Sequence, residues 1–311
     1  MSWIIVAVSA YLLLAVANLL DKFLVDNVLK SSKAYAFVAC LMGVVVFVAA
    51  PWLLEWPGWP LFIFNLMTGA LFAVALWLLY ESLRRGEASR VLVFIGGATP
   101  VFSLLLSIVI FKEHFSFYQW MGILCLLGGV FIIAFLPVKR SFLSRVVRKL
   151  GISNSKHQGG LTIAILSALA YSLYFLATKY GYLDQSFASA FIWNRLGAGL
   201  FVLLFLIKKS DRRAIAALFS HSSPNNNKWL VVVNQIIGAT GFILQNYAIF
   251  LGAVVLVNAL QGVQYAFLLV ISAILALVAP KLLKETFSWR IILQKSAAVV
   301  AIAIGLYFIT L

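Results

Sequence analysis

The chain has 311 residues, 64% of them hydrophobic and only 11% charged, with a mean hydropathy of +1.04. A water-soluble domain carries about a quarter charged residues, so this composition excludes one and describes a polytopic membrane protein. The formal net charge of +15 does not indicate a nucleic-acid binder, because the cations lie in breaks between apolar runs and form no single soluble face.

An α-helix needs about 20 apolar residues to cross the hydrocarbon layer. Ten runs qualify: 3–20, 34–54, 60–83, 91–111, 117–136, 160–180, 187–207, 228–250, 254–279 and 289–310. They are numbered here as spans 1 to 10. The start Met1-Ser2-Trp3-Ile4 has no basic region and no small-residue cleavage site follows, so span 1 reads as a mature helix and not a signal peptide. Spans 8 and 9 are divided at Leu251-Gly252-Ala253, because one continuous run there is too long for a single crossing. Cys40 and Cys125 lie within apolar runs and read as small packing residues, not as a disulfide or a metal pair.

Two breaks are longer than turns. Segment 138–159 is basic and Ser-rich, and segment 208–227 holds Lys208-Lys209-Ser210-Asp211-Arg212-Arg213 before Ser222-Ser223-Pro224. Neither is long enough for a soluble domain, and residues 214–219 read as a short interfacial helix.

The first long break divides the chain into residues 1–137, a linker at 138–159, and residues 160–311, with five spans on either side. The halves echo one another. Phe111-Lys112-Glu113-His114-Phe115-Ser116 returns as Leu283-Lys284-Glu285-Thr286-Phe287-Ser288. Ala36-Phe37 matches Ala190-Phe191, Gly43 then falls on Gly197, Asp21-Lys22 faces Thr178-Lys179, and Tyr80 to Gly86 falls on Asn246 to Gly252. An odd number of spans per repeat forces the halves into opposite orientations, the inverted-repeat plan of many secondary transporters. The expected fold is therefore an all-α integral membrane protein of ten helices in two inverted five-helix repeats.

The cations fix an expected orientation. Twenty-one of the 24 Lys and Arg residues lie after odd-numbered spans, Lys112 and Lys179 lie after even-numbered ones, and Arg195 lies inside span 7. The positive-inside rule places the odd-numbered loops, including 138–159 and 208–228, in the cytoplasm of a plasma-membrane protein, with both termini outside.

Polar side chains in hydrocarbon are costly and face a cavity or one another. Span 9 carries Asn258, Gln261, Gln264 and Tyr265 on one helical face; span 8 carries Asn234, Gly238, Gly241 and Gln245 on one face, with Asn246 adjacent. These amides could line a polar cavity or hydrogen-bond between helices at roughly 0.6–2 kcal/mol each. Arg195 follows Trp193 and Asn194 near the middle of span 7. Its guanidinium could take a carboxylate or phosphate of a substrate or pair structurally with Glu81 or Asp184. Tyr80 precedes Glu81, which is either a local partner of Arg84 and Arg85 at i+3 and i+4 or, turned inward, a proton-coupling carboxylate. Glu113 and Glu285 read as structural residues at helix starts, where a carboxylate complements the dipole. Lys295 snorkels to the interface, while Asn18 and Lys179 are weaker cavity candidates. Thr99, Ser103 and Ser107 on span 4 read as packing residues.

Spans 4 and 5 carry Thr99-Pro100, then Lys112-Glu113, Gly122 and Gly128-Gly129-Val130-Phe131. This arrangement resembles the EamA-type family of the drug/metabolite transporter superfamily. Glu285 and Gly305 repeat it more loosely, without a counterpart of Pro100, and Trp193-Asn194-Arg195-Leu196 resembles the Arg-bearing second helix of the same repeat. The resemblance implies a ten-helix carrier that moves small metabolites, amino acids among them, by alternating access. The chain departs from the family pattern in lacking a basic N-terminus and a basic loop after span 2.

The functional reading is a secondary transporter for a small polar solute, proton-coupled or exchanging. The alternative is a flippase for a lipid-linked headgroup such as a polyprenyl phosphate sugar. No catalytic, metal or nucleotide-binding motif is present, and His114, His157 and His221 lie in or near turns; neither an enzyme nor a cofactor is expected. The expected partners are a small-molecule solute and membrane lipid, not nucleic acid, for a monomer or homodimer. The orientation has a direct check. A cysteine at position 145 should react with a membrane-impermeant maleimide only after permeabilisation; labelling in intact cells would contradict the charge count.

Overall fold

The computed structural model describes residues 2–28, 31–85, 88–112, 114–134, 156–219, 228–278 and 289–310. Among these the regular elements are all helical. The long helices are α1 (Ser2–Val28), α2 (Ser32–Gly43), α3 (Trp59–Arg85), α4 (Ala88–Ile110), α5 (Phe117–Ala134), α6 (Lys156–Gly181), α7 (Phe187–Leu203), α8 (Lys228–Leu251), α9 (Gln261–Val278) and α10 (Trp289–Thr310). Five helical stretches among the described residues are long and apolar enough to cross a membrane: Ser2–Leu20, Ser32–Leu53, Trp59–Arg85, Thr162–Gly181 and Phe187–Leu206. Most of the linker, and Glu113 and Glu285, lie outside the described residues, as do the side chains of Tyr265 and Lys295.

The elements differ from the apolar runs where hydropathy and helicity part company. The α1 helix runs on past Asp21-Lys22 to Val28, since charged residues mark the edge of an apolar run but do not end a helix. Span 2 is not one helix. Beyond Gly43 it tightens into a 3-10 segment, Val44–Ala49, and then a short turn, Ala50–Leu53, with Pro51 in its first turn. The β-branched run Val44-Val45-Val46 is a poor α-helix former, which favours the change of winding. The α7 helix ends the same way, at Leu204–Leu206. Span 9 is broken at Leu260, so that Val254–Ala259 is a separate short helix ahead of α9. The interfacial helix is longer than expected, Lys209–Phe219.

The helix starts are set by local capping. Ser31 Oγ accepts from Ala34 N at 3.4 Å and Ser186 Oγ from Ser189 N at 3.4 Å, so α2 and α7 both begin on a serine. At α5, Ser116 and Gln119 form a reciprocal capping box, with Gln119 N donating to Ser116 Oγ (3.2 Å) and Ser116 N to Gln119 Oε1 (3.0 Å). The chain enters this cap through Lys112, whose φ of 50° is left-handed.

Packing runs chiefly through α3 against α6 and α7, α1 against α8, α4 against α6, and α5 against α10. Small residues decide these approaches, because lipid supplies no hydrophobic drive between helices and close van der Waals contact must replace it. A Cβ on Gly69 of α3 would lie 1.9 Å from the Asn194 carbonyl oxygen, and one on Gly197 would lie 2.3 Å from that of Leu66. The motif glycines do the same between α5 and α10: a Cβ on Gly305 would meet the Gly122 carbonyl at 2.9 Å, and one on Gly129 the side chain of Ile302 at 2.6 Å. By contrast, a Cβ on Gly128 would meet nothing within 4 Å. Gly69→Ala should therefore destabilise by about 1–3 kcal/mol, read as a lowered unfolding midpoint in detergent, while Gly128→Ala leaves the midpoint unchanged. Equal midpoints for the two variants would refute this account of the helix contacts.

Candidate functional site

The centre of the bundle is built on Arg195. It is the ninth residue of α7, 6% exposed, and its side chain lies against Gly43 of α2. Three aromatic rings surround the guanidinium, with Cζ at 4.1 Å from the centroid of Phe72 (α3), 4.7 Å from Phe242 (α8) and 4.8 Å from Phe191 (α7). Nη2 donates to the hydroxyl of Tyr174 (α6) at 2.8 Å, and that hydroxyl donates to Oδ1 of Asn246 (α8) at 3.0 Å. Asn246 is fixed in turn by donating from Nδ2 to the Phe242 carbonyl at 2.9 Å. Among the described residues no carboxylate pairs with Arg195, and its Nε has no hydrogen-bond partner.

Energetics explain how a charge rests here without a counter-ion. An arginine at the centre of a membrane helix costs about 2.5–3.5 kcal/mol on insertion scales. A desolvated cation–π contact returns about 2 kcal/mol, and three faces converge on this one. The rings leave its Nε unsatisfied. That is the electrostatic profile of a group able to accept an anion.

The Arg195 side chain borders a cavity of about 530 Å³, within the range of small-molecule sites. The cavity is mostly apolar, with Leu14, Leu76, Leu79, Tyr171 and Ile243 among its walls, and its polar points are Asn18, Tyr80, Asn234, Gln235, Thr240 and Arg195. It occupies the C-terminal halves of α1 and α3 and the N-terminal half of α8. It therefore lies toward the face that carries the loops after odd-numbered spans.

The structure distributes the candidates read from the sequence. Arg195 and Tyr80 border the cavity, and Asn246 joins Arg195 through Tyr174. Gln245 donates to the Tyr11 hydroxyl at 3.3 Å, which donates to the Val257 carbonyl at 2.8 Å, tying α8, α1 and the short helix together. Asn258 donates to Ser103 Oγ at 2.9 Å across to α4. Gln264 is buried and Gln261 half-buried, away from the cavity wall. Asn194 is 1% exposed and packs at the α3–α7 crossing. Trp193 is held on the opposite face, donating from Nε1 to the Glu55 carbonyl at 3.1 Å and packing edge-on against Phe62 at 4.9 Å. Glu81 accepts from Arg84, from Arg85 at 2.6 Å and from Ser32 at 2.6 Å, which joins the end of α3 to the start of α2.

Tyr174, Phe72, Phe242, Tyr171 and Gln235 were not singled out in the sequence. Tyr171, Tyr174 and Phe175 do stand at i, i+3 and i+4 on one face of α6, the available signal. It was masked because aromatic residues in a membrane helix serve lipid-facing and inward positions alike.

These elements define a multi-pass helical membrane protein with a buried guanidinium bordering a largely apolar cavity. The EamA-like transporter family matches over residues 1–135. Over 113 residues the chain is 31% identical to an uncharacterized transporter of Bacillus subtilis (strain 168), YdfC. The matched stretch spans 34% of this chain and 30% of that relative. A solved crystal structure superposes with a TM-score of 0.66 over 97% of this chain and 96% of its own, at 16% identity, which speaks to the fold alone.

The Tyr174 hydroxyl holds both Arg195 and Asn246. Tyr174→Phe should lower stability by about 1–3 kcal/mol, because both neighbours lose a buried partner, with a corresponding fall in unfolding midpoint. An unchanged midpoint would mean that the network is not formed.

Proposed function

We propose that the protein is a secondary transporter of the plasma membrane that moves a small metabolite bearing an anionic group by alternating access, with Arg195 as the anchor for that group. The observation that carries this reading is the buried guanidinium facing a cavity with no carboxylate among the described residues. A purely structural arginine in a membrane bundle finds an acidic partner or backbone carbonyls; this one finds three rings and a tyrosine hydroxyl.

Ten helices in two inverted repeats supply the second half of the argument, supported by how the helices pair. The contact of α3 with α6 has its counterpart in α8 with α1; α4 with α6 has α9 with α1; α5 with α10 and α4 with α9 are their own counterparts. The pattern is broken in several places, among them α2 with α3, whose counterpart α7 with α8 forms no extended contact among the described residues. The α3–α7 contact is a close glycine-mediated crossing, whereas its counterpart, α8 with α2, forms no extended contact. The cavity lies in that missing contact. Rocking one repeat against the other about the fixed site would exchange the open and closed pairs.

The face away from the cavity is closed by its own set of contacts. Ser189 Oγ donates to the Glu55 carbonyl at 3.0 Å, beside the Trp193 bond. Lys179 Nζ donates to the carbonyls of Ile249 (3.0 Å), Phe250 (3.1 Å) and Gly252 (2.9 Å), capping the C-terminus of α8. With the charge-derived orientation, this arrangement is an inward-facing state. Glu81 takes the local reading: Arg84, Arg85 and Ser32 hold its carboxylate as a structural tie between α2 and α3.

Transport decides the reading. Protein in proteoliposomes should accumulate one or more radiolabelled organic acids or amino acids, and Arg195→Gln should lower that flux tenfold or more in protein that still folds and inserts, as expected when a charged hydrogen bond of about 1.5–3 kcal/mol is lost. Full flux in folded Arg195→Gln protein would overturn the assignment.

A further inference from the structure

We propose that α2 and α8 frame a lateral portal, and that the anion bound at Arg195 is a single-chain amphiphile entering from the bilayer, its charged group against the guanidinium and its apolar chain between the two helices. The inference rests on Arg195 as the anion anchor and adds the route and the chemical class.

Side chains that border the cavity also reach the outside of the bundle at this gap. On α2 and the segment after it, Met42 is 36% and Val45 67% exposed; on α8, Ile236 is 58% exposed and Thr240 is exposed one turn further along. The cavity is therefore continuous with the lipid-facing surface between α2 and α8, a helix pair that forms no extended contact. At the odd-loop end the same two helices are bridged. Tyr35 Oη accepts from Gln235 Nε2 at 3.5 Å and its ring stands edge-on to Tyr80 at 4.6 Å. This bridge narrows the axial route and leaves the lateral one open.

The chemistry of the walls selects the occupant. A fully hydrated polar solute would have to give up its water against Leu14, Met42, Val46, Leu76, Leu79 and Ile243, whereas an alkyl chain leaving the bilayer keeps apolar surroundings there. Charge complementarity at Arg195 requires an anion. A cavity of about 530 Å³ matches one drug-sized molecule and so favours a single-chain anion over a two-chain phospholipid. The odd-loop rim is basic. Arg84 and Arg85 stand exposed just past cavity-lining Leu83, and Lys208, Lys209, Arg212 and Arg213 are exposed at and beside the interfacial helix, which is tied to α2 by Lys33 Nζ to Asp211 at 2.6 Å. Such a rim attracts anionic headgroups at the membrane surface.

The test uses full-length protein in phosphatidylcholine nanodiscs and a dodecanoate probe with a photoreactive diazirine at its chain end. Crosslinks mapped by mass spectrometry should concentrate on residues 42–46 and 236–243. They should fall at least fivefold with excess dodecyl phosphate, persist with excess dodecyltrimethylammonium, and fall at least fivefold in Arg195→Gln. The competition needs no variant and so stands even if Arg195→Gln does not fold. Crosslinks spread over lipid-facing residues such as Val109, Leu124 and Leu203, or equal competition by the cation, would overturn the proposal. Labelling near Arg195 by a water-soluble aryl carboxylate diazirine, with none from the dodecanoate probe, would overturn the lateral route and leave the anion anchor standing. If neither probe is competed by anions, the anchor falls as well.

Discussion

A guanidinium buried in an apolar bundle, with no carboxylate partner among the described residues, is the constraint on which the rest of the structure turns. Its charge has to be accommodated, and three aromatic faces from α3, α7 and α8 do that while leaving Nε unsatisfied. Phe72 lies on α3 and Phe242 on α8, so the cage draws on both halves of the chain. Tyr174 and Asn246 then lock the geometry from α6 and α8. The cage holds the cation in hydrocarbon and also joins it to elements that the proposed transport cycle would move.

Small residues set where those elements touch. Gly69 and Gly197 bring α3 and α7 to backbone contact, and Gly43 lies against the Arg195 stem. Tight packing on one side and a gap on the other is the asymmetry an inverted repeat needs if one sequence-encoded contact is made at a time. The aromatic and Lys179 contacts of the even-loop face are directional and local.

Much of this was legible in the sequence. The apolar runs located the long helices, and the division at Leu251-Gly252-Ala253 falls where α8 ends. Arg195 stood out because charge inside a membrane helix is rare. Less visible were the features that composition does not encode. Hydropathy cannot distinguish α-winding from the 3-10 segment after Gly43, and it stops α1 at Asp21 although the helix continues. The amide pattern on spans 8 and 9 was visible as a stripe, but whether an amide faces a cavity or a neighbouring helix depends on packing: Gln245 and Asn258 hydrogen-bond across helices, while Asn234 and Gln235 border the cavity. The cage aromatics were hidden among many similar residues, because a ring's role depends on what lies opposite its face.

The central claim is that the Arg195 guanidinium is available to an anion. Solid-state nitrogen NMR on arginine-labelled protein in lipid addresses it at the atom concerned. One Nε resonance, absent from Arg195→Lys, should move progressively and saturably as an organic carboxylate is added and stay in place when a neutral amide of the same shape is added. A resonance that ignores the carboxylate, or follows both compounds equally, would contradict the account.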